Sequence, residues 1–210
     1  MVSSMSEYLG HFIKGIYAGI MISIGGIVYL SVQNPVIGSF LFSIGLLMVC
    51  MYKMNLYTGM IGYILSSPPR YILTLITSLI GNLCAALLVG RIISFTRLDI
   101  INRATSMVNV KLGDDIFSIF ILAMFCGMLM YIAVNNYKTS KNEIGKYIGI
   151  FMCVMTFILC GFEHCIANMF YFSVSNILTY KVLLYLIIMI LGNSFGSVII
   201  SLFYNSYYKD

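Results

Sequence analysis

An all-α integral membrane bundle of six spans, two of them broken, is the fold class the sequence predicts, and three observations carry it. Of 210 residues, 60% are hydrophobic and only 9% are charged, with a mean hydropathy of +0.98; a water-soluble domain cannot hide that much apolar surface. Apolar segments fall at roughly 12–30, 36–65, 71–93, 115–134, 146–174 and 180–204. The second and the fifth are interrupted near their middles by polar residues.

Taken in order, the first segment follows Glu7 and His11 and is not closed by a small-residue cleavage site, so it is expected to remain as a span rather than leave as a signal peptide. The second segment is too long for one straight crossing at ~1.5 Å per residue, and it breaks at Tyr52-Lys53-Met54-Asn55-Leu56-Tyr57-Thr58-Gly59. The third has an ordinary length and carries Ile80-Gly81-Asn82. Ser94 to Asp115 is the single long polar connection, read as an external loop over 94–114 that covers a pore mouth. After an ordinary fourth segment, the long fifth breaks at Gly161-Phe162-Glu163-His164-Cys165-Ile166-Ala167-Asn168-Met169-Phe170. The sixth carries Leu191-Gly192-Asn193, about 111 positions after its match in the third.

Irregular backbone is tolerated in a bilayer only where it faces protein or water, so two broken helices in corresponding positions point to a site between them at mid-membrane depth. Three spans per half put the halves in opposite orientation. The expected organisation is therefore one transmembrane domain over 1–210, an inverted three-plus-three repeat with halves at about 10–93 and 115–204.

With the N-terminus inside, cytoplasmic segments hold Lys14, Arg70, Lys138, Lys141, Lys146 and Lys209 against Arg91, Arg97, Arg103, Lys111 and Lys181 outside. The positive-inside rule then places both termini in the cytoplasm. The net charge of +5 is scattered over short connections, without the basic run or aromatic interleaving that nucleic-acid binding requires. All six cysteines (Cys50, Cys84, Cys126, Cys153, Cys160, Cys165) lie in apolar segments without a CxxC pair, which reads as small core residues rather than a disulfide framework. Richness in Ile, Asn, Lys and Tyr over Ala, Arg and Trp points to an AT-rich bacterial genome.

An ionisable residue at membrane depth is by default functional. His164 can act as cation, donor or acceptor with small changes in environment and could give a hydrogen bond or a proton to a passing anion. Its neighbour Glu163 would repel an anion; it is read as a structural anchor, satisfying loop amides of the other broken helix. Thr58 both donates and accepts, suiting a relay between an anion and His164, and Gly59 permits the turn there. Lys111 just before the fourth span would raise anion concentration at a pore mouth. Lys53, inside an apolar segment, should snorkel or line the cavity at the break. Phe42, Leu46, Leu56, Tyr57 and Phe157 lie near the breaks, where bulky apolar side chains can form constrictions that exclude hydrated ions.

These residues resemble the formate/nitrite transporter family. The run Gly161 to Phe170 is similar to that family's fifth-span signature, including its histidine and asparagine, and Leu56-Tyr57-Thr58-Gly59 resembles its second-span loop, usually Leu-Phe-Thr. The resemblance covers nearly the whole chain. It implies an aquaporin-like six-span bundle assembled as a homopentamer with one pore per subunit. It further implies that Thr58 and His164 are central pore residues, Lys111 an external-vestibule lysine, and Phe42, Leu46, Leu56, Tyr57 and Phe157 constrictions; Asn168 is placed with them on the substrate pathway, and Glu163, Gly59 and Gly161 are read as structural at the breaks. Tyr57 departs from the usual Phe, Gly127 stands where members commonly carry Asn, and Asn135 where many have Trp.

The function expected is a channel or passive transporter in the cell membrane for small monovalent anions of weak acids: formate, nitrite or hydrosulfide. It needs no cofactor and no metal, and it is not an enzyme. Its partners are those anions, the lipid bilayer and copies of itself. An aquaporin-type neutral-solute channel is the nearest alternative, but it would use Asn-Pro-Ala turns, and the three prolines (Pro35, Pro68, Pro69) do not supply them at a break. A membrane metalloenzyme built on Cys160, His164 and Cys165 lacks ligand spacing for a closed site.

Overall fold

A bilayer offers no water to unpaired backbone groups, and the chain answers with helices alone. The computed structural model describes residues 2–207. In order, the helices are α1 (Val2–Ser31), α2 (Pro35–Phe42), α3 (Ile44–Met51), α4 (Tyr57–Met60, continued by a 3-10 stretch Ile61–Ser66), α5 (Tyr71–Ile93), α6 (Ile101–Gly113), α7 (Ile116–Thr139), α8 (Glu143–Leu159), α9 (Cys165–Ser175) and α10 (Tyr180–Tyr207). Among the described residues there is no strand.

Four of these, α1, α5, α7 and α10, are long and apolar enough to cross a membrane. They associate as two close pairs, α1 with α5 and α7 with α10. Small residues set the α7–α10 spacing: a Cβ on Gly127 would lie 2.1 Å from the carbonyl oxygen of Asn193. Gly19 does the same on the other pair, where a Cβ would lie 2.7 Å from the Asn82 carbonyl. Close approach of small residues is how membrane helices gain packing without a hydrophobic drive. An asparagine at position 127 does not fit this backbone.

The remaining helices fill the space between the pairs, and both long apolar segments are broken as the sequence predicts. The breaks begin alike. At the end of α3, Met54 N–H reaches back to Val49 O at 2.9 Å and Lys53 adopts a left-handed φ of 52°. At the end of α8, Phe162 N–H reaches back to Phe157 O at 2.8 Å and Gly161 adopts a φ of 69°. Both are left-handed helix ends of the kind glycine favours. Gly161 supplies that glycine, and Lys53 stands in the position with a side chain.

Two expectations change here. Thr58 and Gly59 are not in the unwound stretch but in the first turn of α4; Gly59 is not a left-handed residue, and its need for no side chain comes from Val134, whose Cγ2 would lie 2.9 Å from a Cβ. The segment read as a loop over 94–114 holds helix α6, because Ala104 and Val108, one turn apart, are buried on the side that meets α9. Its Arg103 donates to the carbonyls of Leu30 and Val32 and lies over the Tyr29 ring at 4.9 Å, tying α6 to the end of α1.

Candidate functional site

An unwound stretch at membrane depth exposes amides and carbonyls that need partners. Two buried asparagines provide them. Asn82 Oδ1 accepts from Tyr57 N–H at 2.9 Å, while its amide donates to Gly15 O at 2.7 Å and Asn55 O at 2.9 Å. Asn193 Oδ1 accepts from Cys165 N–H at 2.9 Å, while its amide donates to Ala123 O at 2.7 Å and Glu163 O at 2.8 Å. Each asparagine thus clamps a carbonyl of the neighbouring span to both sides of a break, and one constant offset along the chain relates Gly15, Asn55 and Tyr57 to Ala123, Glu163 and Cys165. The recurring Gly-Asn pair was visible in the sequence as a repeat; its job was not. Asn55, also unforeseen, has its side-chain amide 3.0 Å from His11 Nδ1 and donates to Ser78 Oγ at 3.1 Å.

These clamps leave the side chains beside the breaks free to meet. Thr58 Oγ1 lies 2.9 Å from His164 Nε2, and both residues are buried. The other ring nitrogen fixes the tautomer: Nδ1 accepts the Ala167 N–H at 3.1 Å, capping α9. A nitrogen that accepts from an amide carries no hydrogen, so a neutral ring bears its hydrogen on Nε2 and donates it to Thr58. The Thr58 hydroxyl hydrogen is then available to a third group.

Glu163 does not serve amides of the other break. Its Oε2 takes the Lys111 ammonium at 2.6 Å and the Asn168 amide at 2.8 Å; Asn168 also donates to His164 O at 3.0 Å. The loop amides it was expected to satisfy belong to the asparagines. Lys111 is accordingly no free cation: with side-chain exposures of 11% and 4%, the pair is withdrawn from solvent and joins α6 to the second break. Asp114 and Asp115, the acids nearest Lys111 in sequence, instead bond Ser118 at the start of α7. The Asn168 amide faces two acceptors, which fixes its orientation, and its Oδ1 is buried without a hydrogen-bond partner.

Two cavities touch the surroundings of the Thr58–His164 bond, one with His164 in its wall and the other with Leu56 and Gly59, chain neighbours of Thr58. One of about 40 Å³ is lined by Lys111, Phe157, Gly161, His164, Asn168 and Tyr171. The other, about 480 Å³, is lined by Lys53, Asn55, Leu56, Gly59, Val134 and Lys138 among others. Of the five apolar candidates, Phe157 therefore faces the smaller cavity and Leu56 the larger. Phe42 packs edge-on against Phe157 at 5.9 Å, and Phe157 stacks on the His164 ring at 5.5 Å. Leu46 is buried in the same core. The hydroxyl of Tyr57 is 2.8 Å from Ser194 Oγ on α10 and lines neither cavity. Asn135, the other departure, accepts from Tyr63 at 3.2 Å.

Several known proteins are similar to this chain. A formate channel of Bacillus thuringiensis is 26% identical over 182 residues, 77% of this chain and 70% of the relative. The formate channel FocA of Haemophilus influenzae is 24% identical over 181 residues, 76% of this chain but only 64% of its own length. A solved pentameric formate channel with formate bound superposes with a TM-score of 0.81 at 22% identity, covering 98% of this chain and 99% of that one. The family model described as formate/nitrite transporter matches residues 4–207. With that match over nearly its whole length, the chain is a multi-pass membrane protein that belongs to the formate/nitrite transporter family.

Proposed function

We propose that the chain forms a pore for small monovalent anions of weak acids, with formate the first substrate to test and nitrite and hydrosulfide of the same chemical class. The observation that carries this reading is the buried Thr58–His164 hydrogen bond, made between the two broken spans, with one cavity against His164 and another against Leu56 and Gly59 beside Thr58. A formate oxygen arriving there would replace nothing in the pair: it would accept the Thr58 hydroxyl hydrogen while His164 Nε2–H holds the threonine oxygen. A hydrogen bond to a charged acceptor is worth about 1.5–3 kcal/mol, enough to offset part of the anion's lost hydration between apolar rings. Making His164 an imidazolium would place a hydrogen on Nδ1 and break its bond to Ala167. The donor role is therefore favoured over the proton-donor role.

In this reading Phe42, Leu46, Leu56, Tyr57 and Phe157 surround the passage and strip hydrated ions of their shells. Asn168 lines the smaller cavity beside His164. Lys111, neutralised by Glu163, holds that mouth in shape more than it attracts anions. The breaks count as halves of two interrupted spans, so that α1, α5, α7, α10 and the two broken helices make six. Residues 10–93 and 115–204 are inverted halves of one aquaporin-like domain, N- and C-termini lie in the cytoplasm of a bacterial cell, and five copies assemble with one pore each. Support for the halves comes from the matched asparagine clamps; support for the pentamer comes from the relative of that assembly.

The test is flux in liposomes reconstituted with the purified protein. Formate, nitrite and hydrosulfide entry above that of protein-free vesicles is expected for at least one of the three. Water permeability without any anion flux would refute the reading.

A further inference from the structure

Ser194 follows the asparagine that holds the second break, and it reaches the first. Its Oγ donates to Ile190 O at 2.5 Å, one turn back in α10. A serine hydroxyl has a single hydrogen, so in its 2.8 Å contact with Tyr57 the phenol donates and the serine oxygen accepts. Tyr57 is buried, where an unpaired hydroxyl is costly, and this bond satisfies it. The tie joins α4, in the first broken span, to α10.

What the tie holds is the turn that carries Thr58. Helix α4 has four residues, Tyr57–Met60, and its N-cap Leu56 gives no side-chain hydrogen bond. So short a helix is not held by its own backbone bonds. Tyr57, its first residue, is instead fastened at two points: its N–H on Asn82 at 2.9 Å and its hydroxyl on Ser194. The adjacent Asn193 fastens Cys165 N–H and Glu163 O, on either side of His164. Two successive residues of α10 therefore grip the neighbour of Thr58 and both neighbours of His164, the pair whose Oγ1 and Nε2 lie 2.9 Å apart. The other half has no copy of this tie. Leu83 follows Asn82 where Ser194 follows Asn193, and Cys165 stands where Tyr57 does; a leucine side chain accepts no hydrogen bond.

We infer that the Tyr57 hydroxyl and Ser194 form a positioning pair that sets Thr58 against His164 and so sharpens the choice among monocarboxylates by size. The hydroxyl lines neither cavity, so it acts through Thr58 rather than on the anion. A threonine hydroxyl held from two fixed points meets a small anion in one geometry; released, it follows a larger one at the expense of that fit. The size preference rests on the pore reading above, and the positioning does not.

The positioning is read first, without transport. The chain has two histidines, His11 and His164, so with 15N-labelled histidine and a His11→Gln reference the Nε2–H of His164 is assigned in the purified protein. Ser194→Ala and Tyr57→Phe alter residues that make no hydrogen bond to His164. Each should speed exchange of that hydrogen with water by about threefold or more, the factor that one membrane hydrogen bond contributes. The two combined should add nothing further, and Ser194→Thr, which keeps the accepting oxygen, should return the parent rate. Exchange unchanged by both single variants overturns the pair. In liposomes, the ratio of formate to acetate entry, which does not depend on how much protein is folded, should fall by about threefold or more in the same variants and recover in Ser194→Thr. A ratio that stays at the parent value while exchange speeds up overturns the selectivity role. A parent protein that carries no formate refutes the pore reading instead, while the exchange rates still decide whether the pair positions Thr58.

Discussion

Replacing Asn193 by leucine removes the clamp of the second break while keeping side-chain volume near its original value. Three buried hydrogen bonds go at once: the one accepted from Cys165 N–H and the two donated to the carbonyls of Ala123 and Glu163. Side-chain hydrogen bonds inside membrane bundles average ~0.6 kcal/mol and reach ~1.7, so the loss is about 2–5 kcal/mol. For a chain of this size that lowers the melting temperature by roughly 5–20 °C. Thermal unfolding of the purified protein in detergent measures it. Asn82→Leu should cost a similar amount because Asn82 makes the same three kinds of bond. A leucine variant that melts with the parent would refute the claim that the asparagine holds the break.

Glu163→Gln leaves the Lys111 ammonium buried without a counter-charge and is expected to destabilise by about 3–5 kcal/mol; adding Lys111→Met should restore most of it, as read by the same melts. Gly127→Asn places a side chain against the Asn193 backbone at the α7–α10 crossing and should abolish folding, seen as loss of a monodisperse peak on size exclusion.

Much of this site was legible in the sequence because membrane depth makes polar residues conspicuous. The interruptions at Tyr52–Gly59 and Gly161–Phe170 stood out against apolar surroundings, and the pairing of Thr58 with His164 followed from treating the breaks as matching halves. What escaped were partnerships set by tertiary approach. Lys111 and Glu163 are far apart in the chain, and nothing local distinguishes a lysine that will find a carboxylate from one that stays free. Helix α6 escaped because only Ala104 and Val108 on one face are buried, too narrow an apolar stripe to read among Arg, Asn and Lys. Gly59 was read as a turn former, whereas its constraint is the proximity of Val134, a contact that only the packed structure contains. Lys53 was conspicuous from the start as a charge in an apolar run, but its left-handed backbone and its match to Gly161 required the geometry of both breaks.

Formate flux through Thr58→Val in liposomes addresses the central claim most directly, since valine keeps the shape of threonine and removes only the hydroxyl that meets His164 Nε2. Loss of a hydrogen bond to a charged permeant, ~1.5–3 kcal/mol, predicts a fall in flux of about tenfold or more, while loss of the acceptor for His164 should lower the melting temperature by only about 1–7 °C. A stable Thr58→Val protein that carries formate at the parent rate would contradict the account.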